Sequence, residues 1–149
     1  MSLQVRELSP PCWPELAPLI AESEAEGLRF LARLRDDDLA GRVRFDGRGE
    51  VLLGVLDAGS LIAVGGLTRE PYVNEATVGR LRHLYVRRSE RRRGIGRLLV
   101  TALEARAKGA FVTLRLRTDS GGADAFYAAL GYQRESESTT ATHWKPTAR

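Results

Sequence analysis

The sequence predicts an α/β fold in which helices cover a mixed sheet, and three observations carry that reading. Helical patterning fills residues 14–40, strand-like runs follow as far as Val86, and the remainder alternates helix, strand, helix, strand. A strand followed by a helix-length connection can return beside itself in the same direction, so the second half implies a parallel pair within the sheet. The chain has 149 residues, 43% hydrophobic and 28% charged, which suits one domain spanning 1–149 with a core of its own.

Taken in order, residues 14–40 carry Leu16, Leu19, Ile20, Leu28, Leu31 and Leu34 at roughly helical spacing, which predicts two helices parted near Gly27. Asp36, Asp37 and Asp38 read as a solvated acidic run, and residues 41–49 as a turn-rich connection. Short apolar or alternating runs at 51–56, 61–68 and 78–86 predict strands, the first two joined by a hairpin turn at Asp57, Ala58, Gly59 and Ser60. Residues 94–108 form the clearest helix, with Ile95, Leu98, Leu99, Ala102 and Leu103 on one stripe and Gly109 as its stop. A strand at 111–116, a helix at 123–130 ended by Gly131, and strands from Tyr132 onward and at 140–145 complete the reading.

Composition narrows the function. No run approaches the ~20 apolar residues of a membrane helix, and Arg6 and Glu7 interrupt the place where a signal peptide needs its apolar stretch, so a cytoplasmic protein is expected. Cys12 is the only cysteine, which excludes an internal disulfide, and no His, Cys and carboxylate set has metal-ligand spacing, so no metal is expected. The net charge is +4, and Arg87, Arg88, Arg91, Arg92, Arg93 and Arg97 crowd one short stretch that calls for an anionic partner.

That stretch lies between a strand and a helix. Unpaired amides of a first helical turn, together with the helix dipole, make an anion site, and Gly94 and Gly96 allow backbone to approach phosphate oxygens. The segment lacks the third glycine of a dinucleotide fingerprint and the Gly-Lys-Ser/Thr ending of a nucleoside triphosphate loop. Geometry alone therefore points to a phosphorylated small molecule.

The run from Leu81 to Leu99, with Arg91-Arg92-Arg93-Gly94-Ile95-Gly96-Arg97 at its centre, resembles the acetyl-coenzyme A motif of the GNAT superfamily of N-acetyltransferases. A second stretch, Phe126-Tyr127 followed by Gly131-Tyr132, resembles that family's Phe-Tyr-x-x-x-Gly-Phe/Tyr segment at the expected distance downstream. The resemblance implies a mixed, mostly antiparallel central sheet with a splayed parallel strand pair and helices on both faces. It implies acetyl-CoA as cofactor: Arg91, Arg92, Arg93, Gly94, Ile95, Gly96 and Arg97 would hold the pyrophosphate mainly through amides. Leu84, Tyr85 and Val86 would pair with the pantetheine arm like a further strand, and their amides would face the oxyanion. Tyr127 matches the frequent general acid, and Ser120 stands, by count from Tyr127, where the family commonly has an asparagine that contacts the cofactor. A homodimer is a family habit.

The base departs from the family pattern, since Arg80 and Arg115 stand where a strand glutamate is commonly found. Water, Glu70, Glu75 or a neutral acceptor amine are the alternatives, and arginines at the acceptor mouth would attract a carboxylate-bearing acceptor. His83 is a weaker base candidate: strand alternation sends it to the face opposite Arg82 and Leu84 unless a bulge intervenes. The expected function is acetyl transfer to a primary amine of a small molecule, peptide or protein, without nucleic-acid or membrane partners. The competing readings are a non-catalytic coenzyme A-binding module and a basic nucleic-acid-binding domain, the latter without any recognition-helix or aromatic stacking signature.

Overall fold

The computed structural model describes residues 2–118 and 121–147. Strand β1 (Leu3–Glu7) leads into helices α1 (Trp13–Ala25) and α2 (Phe30–Leu39). Strands β2 (Val51–Asp57), β3 (Ser60–Arg69) and β4 (Val78–Val86) follow, then α3 (Ile95–Ala107), β5 (Thr113–Leu116), α4 (Gly121–Ala129), β6 (Gln133–Arg134) and β7 (His143–Pro146). One seven-stranded sheet runs in the order β1-β2-β3-β4-β5-β7-β6, antiparallel except for the β4–β5 pair. No described helix is long and apolar enough to cross a membrane.

The expected mixed sheet with helices on both faces is present, and pleating explains how each face acquires a core. Val51, Leu53 and Val55 of β2 pack with Ile95, Leu99, Val100 and Leu103 of α3, while the alternate residue Leu52 joins Leu16, Leu19, Leu31 and Leu34 of α1 and α2. Each fully buried leucine contributes about 2 kcal/mol of apolar transfer, so the two clusters clamp the sheet from both sides. Tyr127 and Tyr132 bring α4 into the α3-side cluster.

Four strands differ from the sequence expectation. Strand β1 carries too weak a pattern to be read: only Leu3 and Val5 pack against the core, and its other residues face solvent at the sheet edge. It is held by antiparallel pairing from Leu3↔Asp57 to Glu7↔Leu53. Strand β5 starts at Thr113, because the Phe111 amide donates to Ala107 O, finishing the turn out of α3. The last two strands are short, with β7 inserted between β5 and β6.

Candidate active site

The site begins where two strands part. β4 and β5 pair only over Val78↔Thr113, Gly79↔Leu114 and Arg80↔Arg115. β4 nevertheless continues to Val86, held on its other side by β3 through Val64↔Tyr85 and Ala63↔Val86. From Leu81 onward its outer edge therefore meets no strand among the described residues. The Arg87 amide donates to Ile62 O of β3, so alternation turns the backbone of Val86 outward, where its carbonyl accepts from Arg91 Nε at 2.9 Å.

A bulge shapes this edge. The β3–β4 register jumps between Val64 and Gly66, and His83 adopts φ 61°. Parity then changes: Leu84 packs towards α3, whereas Tyr85 belongs to the α1/α2 cluster. Opposite the bulge, a β-carbon on Gly65 would stand 2.8 Å from Leu84 Cδ1, so only glycine lets that side chain turn inward. The bulge corrects the simple alternation expected for His83. Its ring lies against Phe45 at 6.5 Å between centroids, on the same sheet face as Tyr85. Burial, helped by the neighbouring Arg82 charge, pushes the imidazole down to about 3, and Nε2 is buried without a hydrogen-bond partner. An imidazole held neutral that firmly is a poor proton acceptor, so the structure gives no support to His83 as the base.

After β4, a 3-10 turn at Arg88–Glu90 leads to Gly94, whose φ of 76° places it in the left-handed region as the N-cap of α3. Leu98 is the residue whose amide reaches Gly94 O, leaving the amides of Ile95, Gly96 and Arg97 ahead of it at the helix start, with no side-chain cap. The Phe126 ring of α4 lies against Gly96, 3.2 Å from where a β-carbon would stand.

The arginines divide into two groups, which corrects the picture of one cluster awaiting an anion. Arg91 grips Glu26, the C-cap of α1, through both terminal nitrogens, at 3.0 and 2.7 Å, and stacks over Tyr85. Arg87 pairs with Glu22, Arg88 with Glu26, and Arg93 with Glu90 and Asp57. Arg92 and Arg97 are exposed and, among the described residues, have no carboxylate partner. Tyr85 likewise turns inward: its backbone faces β3 and its hydroxyl lies between the carboxylates of Glu22 and Glu26, 2.7 and 2.5 Å away, with its one proton shared between these acceptors. Of the three strand residues, Val86 is the one whose backbone outward turn is set by these contacts.

Tyr127 is buried beside the C-terminal end of β5. Its ring is 5.8 Å from that of His143, which pairs with Leu116, the last residue of β5. Its hydroxyl makes no hydrogen bond among the described residues, and burial pushes the phenol up to about 12. His143 Nε2 lies 2.8 Å from Asp124 Oδ1 and Nδ1 lies 2.9 Å from Thr142 Oγ1, so α4 is pinned to β7 next to Tyr127. Ser120 lies outside the described residues.

Sequence reasoning missed a cleft of about 660 Å3 on the α1/α2 face, walled by residues 41–46, the end of β3 and the segment after it, with Arg82 at its base. Nearby Glu70 is fully buried, 2.9 Å from Arg80 and 3.5 Å from Arg115, which commits its carboxylate to two guanidiniums. Nothing local in the sequence marks Glu70 as buried, because its partners come from β4 and β5.

A family model for the acetyltransferase (GNAT) family matches residues 3–132, and the chain belongs to that family. Among solved structures it is similar to a candidate acetyltransferase from Exiguobacterium sp. 255-15, with TM-score 0.83 and 27% identity over 98% of this chain and 94% of that one. It is also similar to a GNAT-family acetyltransferase from Staphylococcus aureus Mu50, with TM-score 0.77 and 14% identity over 99% and 100% of the two chains. The third is N-acetylglutamate synthase from Neisseria gonorrhoeae complexed with coenzyme A and N-acetyl-glutamate, with TM-score 0.76 and 19% identity, covering all of this chain and 36% of that one. Among proteins of curated function, none matches the chain in sequence. The protein is thus an N-acetyltransferase of the GNAT type.

Proposed function

We propose that the protein transfers an acetyl group from acetyl-coenzyme A to a primary amine by direct attack on the thioester. The observation that carries the reading is the unpaired edge of β4 running to the uncapped amides of α3: Val86 would flank the cofactor's extended arm, and the amides from Gly94 to Arg97 would hold its pyrophosphate. Those amides offer donors in the fixed orientation an anion needs, and Arg92 and Arg97 add charge. One of the similar structures was solved with coenzyme A bound, which supports coenzyme A as the carrier of the acetyl group.

In the reaction the amine nitrogen bonds to the carbonyl carbon, the carbon–sulfur bond breaks, the nitrogen loses a proton and sulfur leaves as thiolate. The outward amide of Val86 is the donor for the developing oxyanion. Tyr127 is assigned the acid role. Held at about 12, it stays protonated through the neutral range and stabilises the departing thiolate as a hydrogen-bond donor. No base is assigned to His83 or Glu70, so the amine enters neutral or gives its proton to water.

Free thiol released from acetyl-coenzyme A should appear only when an amine is present. Tyr127→Phe should lower kcat about 100-fold while coenzyme A affinity, measured by calorimetry, stays unchanged. Tight coenzyme A binding with no release across an amine panel would make the protein a passive binder, and unaltered turnover in a folded Tyr127→Phe variant would remove the acid.

A further inference from the structure

The cleft lined by Arg82 has features that the transfer of an acetyl group does not itself require. Thr68 and Arg80 face each other across β3 and β4, and Arg82, two residues on, shares their face of the sheet. Among the described residues Arg82 makes no ion pair and no side-chain hydrogen bond. Thr68 also lines the cleft; it is 4% exposed, and its Oγ1 is buried without a hydrogen-bond partner. A guanidinium fork and a hydroxyl left without partners on one wall are groups that folding ordinarily satisfies. With Arg42 paired to Asp37 and Glu70 committed to Arg80 and Arg115, Arg44, Arg69 and Arg82 line the cleft against Asp46 and Glu50, one positive charge in excess.

We propose that this cleft seats a carboxylate on the acceptor, with Arg82 as the anchoring fork, so that the amine acceptor is a small amino acid. The inference rests on the acetyl-transfer reading and names its substrate class. A planar guanidinium matches a carboxylate in two parallel hydrogen bonds, and one excess charge suits a monoanion better than a phosphate dianion. The position fits as well. Arg82 leads directly into the bulge at His83, so an anion seated there leaves an amine a few bonds away at the parting of β4 and β5. The pyrophosphate turn leads into α3 on the other face, and the two substrates meet from opposite sides of the sheet.

Wild-type protein, Arg82→Gln and Arg82→Lys are assayed for thiol release from acetyl-coenzyme A with free α-amino acids, 4-aminobutyrate, their carboxamides and 2-aminoethyl phosphate, with calorimetric coenzyme A binding alongside. The proposal expects kcat/KM for the best acid to exceed its amide by about 10- to 100-fold. Arg82→Gln should remove that preference through KM, Arg82→Lys should restore part of it, and coenzyme A affinity should not move. Equal use of acids and amides, or a preference for polyamines or for the phosphate, overturns the carboxylate while leaving acetyl transfer intact. If no amine is acetylated, saturation-transfer NMR with N-acetylated amino acids and their amides decides. Acid-selective binding lost in Arg82→Gln supports the site although transfer has failed, and its absence overturns the proposal. Should Arg82→Gln not fold, the wild-type acid-to-amide ratio and Arg82→Lys carry the test.

Discussion

The turn from Arg91 to Arg97 presents backbone to a ligand, whereas the cleft beside Arg82 presents side chains. At the turn, a left-handed Gly94 and the first amides of α3 make the surface, and Arg91 and Arg93 spend their charge on Glu26, Glu90 and Asp57. At the cleft, Thr68 and Arg82 come from two strands, while Glu70 is locked to Arg80 and Arg115 behind them. The difference teaches where each site is vulnerable. A backbone-built site depends on dihedral angles and the absence of β-carbons, and a side-chain-built site depends on charge balance among distant residues.

The strongest challenge to that contrast is Glu70→Ala. It leaves Arg80 and Arg115 buried without their shared carboxylate, and removing one partner of a buried ion pair costs about 3–5 kcal/mol. Urea unfolding should show the loss. A change under 1 kcal/mol would mean that water compensates the arginines and that the cleft does not rest on this carboxylate.

Gly94→Ala probes the other region. A β-carbon there meets no atom within 4 Å, so the penalty is the left-handed backbone itself, about 1–2 kcal/mol. Coenzyme A affinity should fall about tenfold with little change in the fold. Replacing Arg93 by Gln should alter affinity much less; the reverse ranking would make the turn a side-chain site after all.

A milder effect is expected at the ion pair that fastens the arginine run to the end of α1. Arg91 and Tyr85 hold the Glu26 carboxyl down at about 2, against an ordinary value of 4.5. A depressed carboxyl contributes stability that is complete above its unfolded pKa and is lost as pH falls through the folded one. The gap in Tm between wild type and Glu26→Gln should therefore be full above pH 5 and close towards about pH 2. A gap independent of pH would remove the ionised pair.

Much of this was legible in the chain because it is written locally. Gly94 and Gly96 ahead of a helical stripe, and Phe126-Tyr127 before Gly131, are short-range signals of backbone conformation, and both stand where they were expected relative to their helices. The strands of the core declared themselves by apolar runs. β1 did not, since an edge strand with one half-buried face has little apolar content to display.

The amino-acid sequence by itself determined the α/β order, the turn at the start of α3 and the family, because helix starts, glycine conformations and apolar periodicity act over a few residues. Which charges remain available follows from contacts between distant segments. Glu22 and Glu26 reach the arginine run from more than sixty residues away, and they neutralise guanidiniums that looked free in the sequence. The bulge at His83 was likewise settled by what β3 offers opposite it, and with it the side of the sheet on which Arg82, Leu84 and Tyr85 work. Charge compensation and strand register depend on pairings through space, and no local pattern encodes them.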